Sequence, residues 1–302
     1  KSHPASRWLD DAKALEAEVK QAQGQPPKPE SETDEELKLM AINALAHSDP
    51  ERALPLLEKI LRGGQSPKLK ERALFVLMQS NSPKARQFVT DIAKGGNPDL
   101  QIKAINYLGS MGSRKELSEI YSSSTDVAVR RAVLRAFASC GARDEIFNAA
   151  KNEKDVDLRR EAIRQLGNMG SQNEIWTLYQ SETDGKIKEE LLRSLSNAGN
   201  SEKLLELART EKDAALRRSA LRNLASMGRR TGEQLASLYA GETDKDLRKE
   251  IIRGLANQQN AKSLVEIARK ETDADLKKEI VRNLSNLRSK EATDYLMEIL
   301  SK

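Results

Sequence analysis

The chain has 302 residues with 51 basic and 46 acidic side chains and a formal net charge of +5, so the signs are interspersed and charge alone does not argue for a nucleic-acid partner. Aromatic residues make up 4% and charged residues 32%, which disfavours a large aromatic core or a β-sandwich; Ala, Leu, Arg, Lys and Glu dominate, and these are helix formers. The single Cys140 excludes an internal disulfide framework, and with only His3 and His47 beside it there is no structural zinc set.

In chain order, residues 1–23 read as an N-terminal helix, amphipathic from Pro4 to Gln23 with Trp8, Leu9, Ala12, Leu15 and Val19 on one face. Residues 24–31 follow as a Pro-rich linker, because Gly24, two adjacent prolines and Pro29 favour extended backbone. From residue 32 to 302 the chain is self-similar. Copies are marked by Asp34, Ser66, Asn97, Asp126, Asp155, Asp184, Asp213, Asp244 and Asp273, in steps of 32, 31, 29, 29, 29, 29, 31 and 29 residues.

Within each copy the third, eighth and eleventh residues after the mark are apolar, as in Leu158, Ile163 and Leu166, or Leu216, Leu221 and Leu224. These offsets share one face at a helical period. The twelfth residue is small (Gly109, Ala138, Gly167, Ser196, Ala225, Ala256, Ser285), which lets a neighbouring helix come close. Shorter helices such as EIWTLYQS and SLVEIARK lie between these and leave through ETD or EKD turns. The marker aspartates suit helix N-caps, and the glycines at 112, 141, 170, 199 and 228 suit a left-handed stop. Each unit is therefore helix, turn, helix, and since one pair cannot bury its apolar face alone, neighbours stack in order. The closing EATDYLMEILSK reads as a capping helix. Tyr121, Tyr179, Tyr239 and Met111, Met169, Met227 recur in alternate units and read as packing between repeats.

The runs DVDLRREAIRQLG from Asp155 and DAALRRSALRNLA from Asp213 resemble bacterial HEAT-like repeats, although the period is shorter than the usual 40 or more. The opening HPASRWLDDAKAL resembles a tetratricopeptide-type helix, as at the end of an upstream array. The HEAT-like resemblance implies an all-α, right-handed α-α superhelix of about nine helix pairs, with the second helices lining a concave face. It also implies a non-enzymatic scaffold for a protein or an extended, acidic peptide. Among enzymatic relatives, deoxyhypusine hydroxylases need His-Glu pairs, and neither His3 nor His47 precedes a Glu. A DNA-glycosylase-like, nucleic-acid-binding protein would need an aromatic-lined cleft in a strongly basic groove, which the balanced charge does not supply. Repeat-type phycobilin lyases leave no motif to test. A purely structural spacer is a further alternative.

Two rows carry the candidate ligand site: Arg135, Arg164, Arg193, Arg222, Arg253 and Arg282 nine residues after each mark, and Ser139, Asn168, Asn197, Ser226, Asn257 and Asn286 one turn further on. By the resemblance they lie on the groove floor, where asparagine amides can bind peptide backbone and guanidinium groups can bind carboxylates. Glu161, Glu190, Glu250 and Glu279, three residues before their Arg, compete as ion-pair partners; Arg135 and Arg222 lack such a Glu and are expected to be least neutralised. A further row, Arg130, Arg159, Lys188, Arg217, Arg248 and Lys277, reads as structural, linked to turn aspartates. The acidic turns ETDKD and ETDAD lack the glycine and spacing of a calcium loop and read as helix caps. No cofactor, metal or catalytic set is expected. No apolar run reaches the roughly 18 residues of a membrane span, and a soluble monomer is expected. The start without Met and the single cysteine lean towards a bacterial extracytoplasmic (periplasmic) site, with the cytoplasm as the alternative.

Overall fold

A computed structural model describes residues 29–48, 50–80 and 82–301. Among them every regular element is helical and there is no strand. Two compact units are present, the first ending at Glu145 and the second running from Ile146 to Lys302. The expected helix over residues 4–23 and the linker up to residue 28 lie outside the described residues.

The first unit holds α1 (Pro29–Ser48), α2 (Pro50–Arg62), α3 (Pro67–Gln79), α4 (Pro83–Lys94), α5 (Pro98–Ser110), α6 (Arg114–Ser123) and α7 (Val127–Ser139). Five of these open on proline, whose fixed φ and missing N–H cost nothing at a first helical position. That corrects the reading of the N-terminal boundary. Helix α1 starts at Pro29, so residues 29–31 are helical and not linker, and Asp34 lies inside the helix, where it pairs with Lys38 one turn on and caps nothing.

Helix α8 (Arg143–Asn152) spans the boundary between the units, and the second unit continues with α9 (Val156–Asn168), α10 (Gln172–Ser181), α11 (Gly185–Asn197), α12 (Ser201–Thr210), α13 (Ala214–Ser226), α14 (Gly232–Gly241), α15 (Lys245–Asn257), α16 (Ala261–Lys270), α17 (Ala274–Ser285) and α18 (Lys290–Leu300). Asp155, Asp184, Asp213, Asp244 and Asp273 each accept the second and third N–H beyond them at 2.8–3.0 Å. Each such cap contributes about 1 kcal/mol. Gly170, Gly199 and Gly228 end their helices at φ 69°, 81° and 82°, and at the next equivalent stop Gln259 adopts φ 57°.

The apolar offsets form the core: Leu158, Ile163 and Leu166 are fully buried, and Leu216, Leu221 and Leu224 are buried as well. In the second unit α9, α11, α13, α15 and α17 pack successively, as do α3, α5 and α7 in the first. The small twelfth residue meets the tenth residue of the next copy, a partner the periodic reading did not single out. A Cβ on Gly109 would lie 2.8 Å from Ala136 Cβ, one on Gly167 3.0 Å from Ser194 Cβ, and one on Gly254 2.9 Å from Ala225 Cβ. Backbone approaches backbone there, and Ser196 Oγ uses the same contact to donate to Asn223 O at 3.2 Å.

The turns are held by glutamates that the sequence reading passed over. Glu153, Glu182, Glu211, Glu242 and Glu271, two residues before each cap, accept the next two backbone N–H groups through Oε1 at 2.8–3.3 Å. Several turn a second oxygen to the preceding repeat: Arg159 donates to Glu182, Tyr179 to Glu211 at 2.6 Å, and both Tyr239 and Arg248 to Glu271. Arg248 also lies over the Tyr239 ring at 4.4 Å, and Lys188 over Tyr179 at 4.9 Å. Members of the further basic row thus meet turn glutamates and rings, while Arg217 acts on a turn aspartate as expected, adding to the backbone N–H groups of Leu247 and Asp246 in holding the Asp244 carboxyl below its ordinary range. Tyr179 and Tyr239 are buried between repeats, whereas Met111 is 45% exposed at a helix end. Helix α18 packs on α16 and α17 through buried Ala292 and Tyr295 and leaves Met297 and Leu300 exposed.

Candidate ligand-binding face

The two candidate rows lie on the second helix of each pair, on the side away from the buried offsets. Arg193, Arg222, Arg253 and Arg282 are exposed on α11, α13, α15 and α17, Arg164 is half-buried on α9, and Arg135 is exposed on α7 of the first unit. Asn168, Asn197, Asn257 and Asn286 are exposed one turn beyond their arginines, as are Ser139 and Ser226.

The arginines of the second unit are occupied by carboxylates. Arg164 donates to Glu161 at 2.7 Å, Arg282 to Glu279 at 3.1 Å, and Arg193 stands 3.7 Å from Glu190, an ion pair beyond hydrogen-bonding reach. Arg222 donates to Glu250 of the following second helix at 2.7 Å, and Arg253 to Glu279 at 3.4 Å. Arg222 is therefore not among the least neutralised, contrary to expectation, because Glu250 reaches it across the stack from 28 residues away. Its guanidinium holds the Glu250 carboxyl below the ordinary range, and the arginine is raised in return.

Glu190 and Glu279 each serve two helices. Glu190 is buried and also accepts from Arg160 of α9 at 3.1 Å; Glu279 joins Arg253 of α15 to Arg282 of its own helix. The buried or half-buried carboxylate is the fixed member and the exposed guanidinium covers it, so the row ties consecutive repeats together. Surface pairs of this kind contribute about 0–1 kcal/mol apiece.

The asparagine row is different. Asn286 donates to Arg282 O at 3.1 Å, within its own helix. Asn168, Asn197 and Asn257 are exposed with no side-chain partner among the described residues. Each amide offers two donors and an acceptor, the set that pairs with peptide backbone. Ser139 and Ser226 turn their hydroxyls back to Arg135 O and Asn223 O and interrupt the row. Trp176 lies on α10 stacked on Tyr179 at 5.9 Å under Lys203.

Among the described residues no three His, Cys, Asp or Glu side chains gather where they could hold a metal ion. No described helix is long and apolar enough to cross a membrane.

Fold and face together define a helical repeat protein with an exposed amide row on its second helices. No family model matches the chain, and no curated protein matches it. Among solved structures it is similar to the complex of CpcE and CpcF of phycocyanin lyase from Nostoc sp. PCC7120, at 16% identity and a TM-score of 0.34, over 77% of this chain and 94% of that chain. A computationally designed self-assembling cyclic homooligomer is similar at 15% identity and a TM-score of 0.15, over 88% of this chain and 99% of that one. Likenesses at this level say nothing about ligand or activity.

Proposed function

We propose that the chain is a non-enzymatic scaffold that binds an extended peptide or a protein segment along the face of its second helices. The observation that carries this reading is the row of unpartnered, exposed amides at Asn168, Asn197 and Asn257. An extended peptide exposes its own N–H and C=O groups, and an Asn amide satisfies both without regard to side chains. The arginines enter differently from their expected role. With carboxylates already in place they position and stiffen the face, and the partner read by this face need not be acidic.

The test is peptide selection from a random display library on the immobilised chain, followed by affinity measurement for the peptides retained. Replacing Asn168, Asn197 and Asn257 together by Ala is expected to weaken binding at least tenfold, since each lost amide pair costs about 0.5–1.5 kcal/mol. Arg222→Ala is expected to change affinity by less than threefold. Peptides bound equally by the triple variant would overturn the proposal. So would failure to select any peptide together with nucleic-acid binding that collapses between low and moderate salt.

A further inference from the structure

Between the first helices of its pairs, the second unit carries one turn clamp twice. From α10 to α12, Tyr179 donates to Glu211 and Lys188 lies over the tyrosine ring. Two units further on, from α14 to α16, Tyr239 donates to Glu271 and Arg248 lies over the ring. Beside the first clamp the groove is filled. Trp176 stacks on Tyr179 with ring centroids 5.9 Å apart and planes 4° from parallel, Lys203 Nζ stands 4.4 Å over the indole, and that ammonium donates to Glu206 at 2.7 Å.

Beside the second clamp the frame is kept and the filling is removed. Trp176 is matched there by Ala236, Gln180 by Ala240 and Lys203 by Ser263, so three side chains are cut back together. What they leave is a cleft of about 340 Å³ against Tyr239, with all three on its wall. The other units of this half keep bulk at the place of Trp176, as Phe147, Leu205 and Val265, so the truncation at Ala236 is particular to this groove. Glu266, the match of Glu206, also lines the cleft and has no ion pair or hydrogen bond among the described residues. Two cations stand beside it: Arg248, already held by Glu271, and Lys270, where α12 has Thr210.

We propose that this cleft takes an aromatic side chain of a partner polypeptide, an indole above all, seated beside Tyr239 as Trp176 is seated beside Tyr179. The chain's own filled groove supplies the template, and its occupant is a side chain. A flat ring gains from a tyrosine neighbour and from a cation over its face, and Lys270 is placed to give the second as Lys203 does for Trp176. An indole N–H is a donor that needs an acceptor once covered, and the Glu266 carboxylate is the one on this wall with no other partner. The cleft lies on first helices and uses none of the residues of the asparagine row, so either assignment can fail without the other.

The experiment is a titration of the full chain, labelled at its alanine methyls and followed by NMR at Ala236 and Ala240. The probes are the blocked tripeptide acetyl-Ala-Trp-Ala-amide, its Leu counterpart and free 3-methylindole. Saturable shifts at both methyls are expected with the Trp peptide, about fivefold or more weaker binding with the Leu peptide, and weaker binding of 3-methylindole than of the Trp peptide. Ala236→Trp, which rebuilds the filled groove from within, is expected to abolish the response at Ala240 at unchanged or higher Tm. If that variant does not fold, Ala236→Leu, which copies Leu205 of α12, is expected to weaken the Trp peptide by about threefold or more. No saturable shift with either aromatic probe would overturn the proposal, as would equal binding of the Leu peptide or a response undiminished in the folded variant. Binding of 3-methylindole as tight as that of the Trp peptide would overturn the polypeptide as the source of the ring.

Discussion

Glu271 concentrates what one residue contributes to this fold: one oxygen accepts Thr272 and Asp273 N–H, and the other takes Tyr239 and Arg248. Burial pushes the carboxyls of Glu271 and Glu211 up, but the tyrosine hydroxyls, the turn N–H groups and the neighbouring cations outweigh it and hold both below the ordinary range. Tyr179 and Tyr239 shift the other way, raised by burial first and by their glutamate acceptors second. For a carboxyl lowered in the folded state, the stabilisation is complete above its unfolded pKa, about 4.3, and is lost as pH falls through the folded value. Urea denaturation of the wild type is expected to show stability declining from about pH 5 downward. Glu271→Gln is expected to be about 1–3 kcal/mol less stable at pH 7 and to decline less steeply in acid. An identical acid slope in the variant would remove the clamp from the account. Glu at this position recurs as regularly as the Asp beside it, so the clamp was legible as a pattern. Its role was not, because its partners lie 23 to 32 residues away.

At the scale of helices, caps and stops were readable because each rests on a few adjacent backbone groups. The close packing of second helices was half readable: the small twelfth residue stood out, but its partner is a tenth residue of another copy, and only stacking register brings them together. The same gap explains Arg222, whose partner Glu250 belongs to the next second helix. Gly167→Val places branched atoms against Ser194 of α11, where even a Cβ stands 3.0 Å from its neighbour. A loss of about 1–3 kcal/mol in urea denaturation is expected. Gly185→Ala, whose added Cβ meets nothing within 4 Å, is expected to leave stability unchanged or raise it by about 0.5–1 kcal/mol. Gln259 holds the left-handed conformation used by glycine in earlier repeats, and Gln259→Gly is expected to stabilise by about 1 kcal/mol. A loss of stability there would mean that the Gln259 side chain contributes more than its backbone costs.

At the scale of the whole molecule, each unit consists of helices that touch mainly their sequence neighbours, so stability is a sum of repeats and the interfaces between them. What matters to such a stack is the period and not where a segment is cut. The most direct measurement is urea unfolding, followed by circular dichroism, of three deletions in the second unit. Removing 184–212 or 190–218 takes out 29 residues, one full step, and leaves every remaining residue in phase. Both proteins are predicted to unfold cooperatively, with a reduced m-value that reflects the smaller buried surface. Removing 184–198 takes out about half a step and puts Asp caps, glycine stops and small-residue contacts out of register; that protein is predicted to lose the cooperative transition. If all three behave alike, whether folded or unfolded, the phase of the repeat, the turn clamps and the rows of residues built on them are wrong.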